Sequence, residues 1–166
     1  MTGVRRGARA VLKYFAPLYV VLIVLQVFLA GEGIFRLYGI NHSDDCNSDK
    51  VAKLANCHVS ATAVQSKTLD AHRFLGFLLT EPLAFLFLVA ALLAWFPNKR
   101  VRVVSIVVPI LTFVQLILAV IGKWVGGLHP INAFIVLGLY GWLTYQLHRK
   151  TQEPATPPAP TSAPAT

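Results

Sequence analysis

Four apolar stretches separated by polar breaks organise the chain: Val11 to Phe35, Ala71 to Phe96, Val103 to Ile121 and Leu128 to Leu147. Each is close to the ~20 residues that carry a helix across ~30 Å of hydrocarbon. Helix is the expected form, because in lipid every backbone group must find its partner within its own segment. Between the first two stretches Val51, Leu54 and His58 recur at helical spacing and predict a short amphipathic helix lying on the outer surface as a lid. The later breaks are short, so the last three helices are expected as antiparallel neighbours. The simplest closure is an all-α, up-down-up-down four-helix integral membrane bundle, with the second and fourth helices diagonal and running the same way. The expected organisation is a basic arm over 1–10, a transmembrane domain over 11–149 with an outer loop at 36–70, and a Pro-, Ala- and Thr-rich tail over 150–166 that cannot bury a core.

Composition agrees with that pattern. Of 166 residues, 55% are hydrophobic and 13% charged, too apolar for a soluble domain of this length. Arg5, Arg6 and Arg9 before an apolar run resemble the start of a secretory signal, but the run is long and cleavage after Ala30 would put bulky Phe28 where a small residue is wanted. The first segment is therefore expected to be retained.

Charge sets the orientation. Arg5, Arg6, Arg9 and Lys13 precede the first stretch, Lys99, Arg100 and Arg102 fill the second break, and Arg149 and Lys150 follow the last. All three regions are expected in the cytoplasm of a bacterial plasma-membrane protein, leaving the first loop and the third turn outside. The formal charge of +8 then follows from topology and attraction to anionic lipid, and no nucleic-acid partner is required. The two cysteines, Cys46 and Cys57, both fall in the outer loop, where a disulfide is the expected state. A metal site with His42 or His58 and a redox-active pair are the alternatives, neither with a recognisable ligand spacing.

The chain also carries a repeat. Gln26-Val-Phe-Leu-Ala30-Gly-Glu-Gly33 matches Gln115-Leu-Ile-Leu-Ala119-Val-Ile-Gly122 as Q-x-x-L-A-x-x-G, and His72-Arg-Phe-Leu-Gly76-Phe77 matches His129-Pro-Ile-Asn-Ala133-Phe134 as H-x-x-x-small-Phe. This reads as a duplicated helical hairpin, or as a chance match between apolar segments. Histidines at the mouths of two diagonal spans share one membrane face. Two readings stand there. His72 and His129 are candidate axial ligands of a b-type haem, with Gly76 and Ala133 leaving room for the macrocycle, Phe77 and Phe134 as apolar wall, and Arg36, Arg73 and Lys123 as counter-charges for the propionates. Alternatively, both histidines lie at headgroup depth and bond to water, lipid or a loop carbonyl.

Glu81, an intramembrane acid before Pro82, is a candidate proton relay or quinone contact, or a carboxyl bonded near a proline kink that releases the Leu78 carbonyl. Glu32 is expected to pair with Arg36 or Arg73, and Gln26 and Gln115 to bond between helices. No phosphate-binding loop, nucleophile–base pair or zinc-ligand set is present in the sequence.

The patterns Q-x-F-L-A-G, L-D-A-H-R-x-L-G and L-H-P-x-N-A together resemble an uncharacterised family of small four-helix membrane proteins common in actinobacteria, over nearly the whole chain short of the tail. More distantly, the chain is similar to one four-helix half of haem A synthase. That resemblance implies His72 and His129 as haem ligands, with His72-Arg73 at the second helix and the cysteine pair in the first loop. Two departures stand out: the relative has eight helices, and its acidic residue stands three before the histidine, whereas Asp70 stands two before His72. Modification of haem would then need a homodimer. The function expected is electron transfer or haem handling at the outer face; the alternative is a non-enzymatic subunit of a larger membrane complex, with a transporter third.

Overall fold

The computed structural model describes residues 2–43, 46–47, 51–64, 67, 69–121 and 127–149. All regular structure in it is helical. Five helices follow in order: α1 Thr2–Asn41, α2 Val51–Val64, α3 Asp70–Ala94, α4 Lys99–Ile121 and α5 Leu128–His148. Three of them, α1, α3 and α4, are long and apolar enough to cross a membrane. With 21 residues α5 has the length, but His129, Asn132, Gln146 and His148 dilute its apolar content.

The helix α1 departs most from expectation. It was expected over 11–35, yet its 40 residues run straight through the basic arm and reach ~60 Å at 1.5 Å per residue. The arm is held because Arg9 closes the far end of α3. Its Nε donates to the Ala94 carbonyl at 2.9 Å and its Nη2 to the Trp95 carbonyl at 3.0 Å, supplying donors to carbonyls a helix C-terminus leaves open. Trp95 turns the chain with φ 37°, and the Arg102 guanidinium lies 4.6 Å over its ring. The Asn98 side-chain oxygen then accepts from the Arg100 N–H at 2.9 Å and the Val101 N–H at 3.3 Å, starting α4.

Helices α1, α3, α4 and α5 pack in cyclic order, each against its two neighbours. The buried positions explain the geometry. They step by four and three along α1 (Leu12, Ala16, Tyr19, Ile23), α4 (Val101, Ser105, Val108, Thr112) and α5 (Asn132, Val136, Tyr140, Leu143), the spacing of a heptad seam between nearly aligned helices. On α3 the seam reads Ala84, Phe87, Ala91, Ala94, but one step of five separates Leu79 from Ala84. There the helix opens into a π-turn over Leu79–Leu83, and the Ala84 N–H reaches back to the Leu79 carbonyl. The wider turn absorbs the extra residue, so both halves of α3 keep one face inward. The same carbonyl, rather than that of Leu78, accepts the buried Tyr19 hydroxyl at 3.0 Å. At mid-bundle Tyr19 stacks on Tyr140 at 4.4 Å between ring centroids, and Phe87 meets both edge-on at 5.6 and 5.2 Å.

Cys46 and Cys57 are bonded to each other, with Cα atoms 5.2 Å apart, which ties α2 back to the end of α1. Helix α2 packs on α1 rather than across the bundle mouth as a lid. Its more covered side is Lys53, Cys57 and Ala61, whereas Leu54 and His58 are exposed. The covalent tie, not the apolar stripe, sets its rotation. The side chain of Val51 and the whole of Lys123 and 150–166 lie outside the described residues.

Candidate functional site

One helical step beyond the aromatic centre, the seam turns polar. Continuing the four-and-three spacing brings Gln26 of α1 after Ile23, Gln115 of α4 after Thr112, and His129 of α5 before Asn132, with His72 opening the seam of α3. The two glutamines and two histidines pair off identically. Gln26 Nε2 donates to the His72 carbonyl at 2.7 Å while His72 Nδ1 lies 3.1 Å from the Gln26 carbonyl. Gln115 Nε2 donates to the His129 carbonyl at 2.8 Å while His129 Nδ1 lies 3.1 Å from the Gln115 carbonyl. A repeat found as letters thus returns as one reciprocal contact built twice.

Chemistry follows from those bonds. A carbonyl can only accept, so each Nδ1 carries the proton and each Nε2 keeps a lone pair available to a metal. Fixing the far nitrogen of a histidine against a carbonyl is how ligand imidazoles are held in one tautomer and one orientation. The two rings stand 6.4 Å apart between centroids at an interplanar angle of 71°. Two imidazoles bound on opposite sides of one ion, with metal–nitrogen distances of ~2.0–2.1 Å and ring centroids ~1.1–1.2 Å behind the nitrogens, stand ~6.2–6.6 Å apart. The angle is compatible with such a pair, because turning either ring about the nitrogen–metal axis leaves both bonds unchanged. Both histidines are half-buried. The pair is thus two imidazoles of fixed tautomer at a centroid spacing that two ligands of one ion would share.

The two halves are not equivalent. Asn132, three residues after His129, donates to Gln115 Oε1 and to the Leu111 carbonyl at 3.0 Å. The matching place after His72 is Leu75, which has nothing to donate, and Gln26 Oε1 is buried without a partner. Gln26 Nε2 also lies 3.4 Å from His72 Nε2, so the amide is the group an incoming ligand meets first on that side.

Other expected site residues fall elsewhere. A Cβ on Gly76 would sit 2.7 Å from Gln26 Nε2, so the missing side chain makes room for the glutamine rather than for a macrocycle. Phe77 and Phe134 are 57% and 63% exposed and face outward, so neither walls the histidine pair. Arg36 pairs with Glu32, and Arg73 with Asp70 at 3.1 Å, each within its own helix and on the surface. Glu81 is half-buried in the π-turn, with exposed Phe77 and Phe85 one turn either side, and its carboxyl has no hydrogen-bond or ion-pair partner among the described residues. The described residues contain no cluster of three or more histidine, cysteine or acidic side chains.

Gln26, Gln115 and Asn132 are the residues that sequence reasoning undervalued. Their signal was present in the repeat, since glutamine and histidine are its polar identities, but pairing across helices needs the helix order. No family model, curated protein or solved structure matches the chain.

Proposed function

We propose that this is a multi-pass bacterial plasma-membrane protein in which His72 and His129 hold a b-type haem at the extracytoplasmic end of an up-down-up-down bundle, for electron transfer or haem handling. The observation that carries the reading is the pair of Nδ1-anchored imidazoles 6.4 Å apart. Orientation is supported by Arg5, Arg6, Arg9, Lys99, Arg100, Arg102 and Arg149, which gather at the opposite end and would place both termini in the cytoplasm. The resemblance to half of haem A synthase points the same way through His72-Arg73, His129 and the bonded cysteine pair.

When bound, the iron porphyrin would supply one-electron chemistry. The chain's own residues hold and orient. His72 and His129 would be the axial ligands, while the glutamine side chains lock α1 to α3 and α4 to α5 in the register that brings each ring to its carbonyl. Arg36 and Arg73 already stand beside carboxylates, so with Lys123 they would balance propionates as members of a charged network rather than as bare cations.

Spectroscopy of the purified full chain tests the reading. A low-spin b-haem signal in the reduced-minus-oxidised spectrum, lost in His72→Ala and in His129→Ala, is expected. Folded, colourless protein from haem-replete membranes sinks it.

Glu81 favours a second reading. A half-buried carboxyl one turn from two exposed phenylalanines in mid-span, with no partner among the described residues, is costly in lipid and is covered by a neighbouring helix when the protein is a subunit of a larger complex or a homodimer. Under that reading Glu81→Leu disperses a complex seen on native gels; under lipid exposure it leaves the particle size unchanged.

A further inference from the structure

At the end of the bundle opposite the histidines, where α1 begins, α5 finishes and α3 turns into α4, lies an open cavity of about 1010 Å³. Its lining divides by chemistry. Arg9, Lys13 and Arg149 bring three cations, and Phe96, Val101 and Leu147 make an apolar wall beside them. Among the described residues no acidic side chain lines it, and the ion pairs formed among them, Glu32–Arg36 and Asp70–Arg73, are at the other end of the molecule. Arg9 is committed to the carbonyls of Ala94 and Trp95, which leaves Lys13 and Arg149 as exposed cations facing the cavity. The α4 N-terminus, capped by Asn98, opens onto the same space and adds the partial positive charge of its first N–H groups.

Position selects the ligand. Tyr14, Trp95 and Tyr145 are 71%, 51% and 61% exposed at this end, the arrangement of an aromatic belt at headgroup depth. A basic pocket between helices at that depth suits an amphiphile with an anionic head. We propose that this cavity binds the phosphodiester headgroup of an anionic phospholipid, with Arg149 and Lys13 on the phosphate oxygens and the glycerol end of the lipid beside Leu147. The inference rests on the bilayer placement proposed above and not on haem. Inorganic phosphate shares the charge chemistry but would leave most of the volume empty.

Native mass spectrometry of the full chain in detergent, with phosphatidylglycerol or phosphatidylcholine added, tests it. One phosphatidylglycerol should be retained in preference to phosphatidylcholine. Lys13→Gln with Arg149→Gln should weaken that retention roughly 10- to 30-fold, at about a tenfold or less for each cation removed. Arg9 is left intact because it closes α3. Lys99→Gln with Arg100→Gln makes the same charge change at the same end but off the cavity, and should retain the lipid. Equal retention of both lipids, equal loss in the two double variants, or displacement of the lipid by millimolar inorganic phosphate would each overturn the site. Flotation with vesicles, measured in parallel, separates the two ideas: failure to float sinks the bilayer placement, and flotation without a headgroup preference sinks this site alone.

Discussion

Leu75 and Asn132 hold the same place in two copies of one motif, and that single difference leaves Gln26 Oε1 orphaned while Gln115 Oε1 is satisfied. Energetics differ accordingly. Asn132→Leu strands a second buried acceptor and removes the bond to the Leu111 carbonyl, so it should cost about 2–4 kcal/mol. Leu75→Asn gives Gln26 a donor worth ~1–3 kcal/mol but gives up ~1–2 kcal/mol of apolar packing, and should stay within about 1 kcal/mol of the parent. Thermal unfolding in detergent reads both, and a neutral Asn132→Leu would show that the glutamine layer is not held as described. Glycines give a second comparison with propensity cancelled. Gly76→Ala drives a Cβ to 2.7 Å from Gln26 Nε2, so the amide must shift and its bond to the His72 carbonyl is weakened, whereas alanine at Gly138 or Gly141 enters open space. The first should lose about 1–3 kcal/mol and the others gain up to about 1 kcal/mol. At this scale the histidines and glutamines were legible as letters; their partnership was not, because backbone carbonyls accept half of the bonds and carry no letter.

Among the elements, α2 and α3 are shaped by different forces. The π-turn of α3 is a packing device: its seam is one residue too long, and the excess is taken up where Pro82 already removes an N–H. Helix α2 has no such anchorage, since most of its described side chains are exposed and it leans on α1. Its placement depends on the Cys46–Cys57 bond, which closes a loop with a sequence separation of 11 and restrains the unfolded segment by about 2–3 kcal/mol. Replacing both cysteines by serine should therefore abolish amide-exchange protection in Val51–Val64 and leave that of α3, α4 and α5 intact. Loss of protection across the bundle would make α2 part of the core. The sequence period picked out Val51, Leu54 and His58 as one helical stripe; Leu54 and His58 are exposed, and the disulfide turns Cys57 toward cover instead.

For the whole molecule, packing is uneven along its length. The heptad seam is filled from Leu12 to Ile23 on α1 and thins beyond the glutamine–histidine layer, where Phe28, Ile34 and Phe35 of α1 and Ile117, Val120 and Ile121 of α4 are exposed. A basic end with an open cavity and an opposite end with two imidazoles give the molecule a direction, which the membrane placement must respect. Pro97→Cys, in the basic turn, should resist an impermeant maleimide added to intact cells, and Gly127→Cys, before α5, should react. The reverse pattern would turn the histidines toward the cytoplasm and remove the support drawn from haem A synthase.

Hydropathy by itself determined that this chain is helical, where the apolar segments break, and that the histidines of α3 and α5 start at one end, because helix period and connection length are local properties. Three of the four apolar stretches return in helices long and apolar enough to span, and α1 begins earlier than its apolar stretch, since whether a basic arm joins a helix depends on what it touches. Only the tertiary structure decided that Arg9 closes α3, that the seam of α3 needs a π-turn, and that each glutamine faces one histidine. Those outcomes share a physical cause. They depend on carbonyls and on the relative rotation of helices distant in sequence, and neither is fixed until the bundle closes.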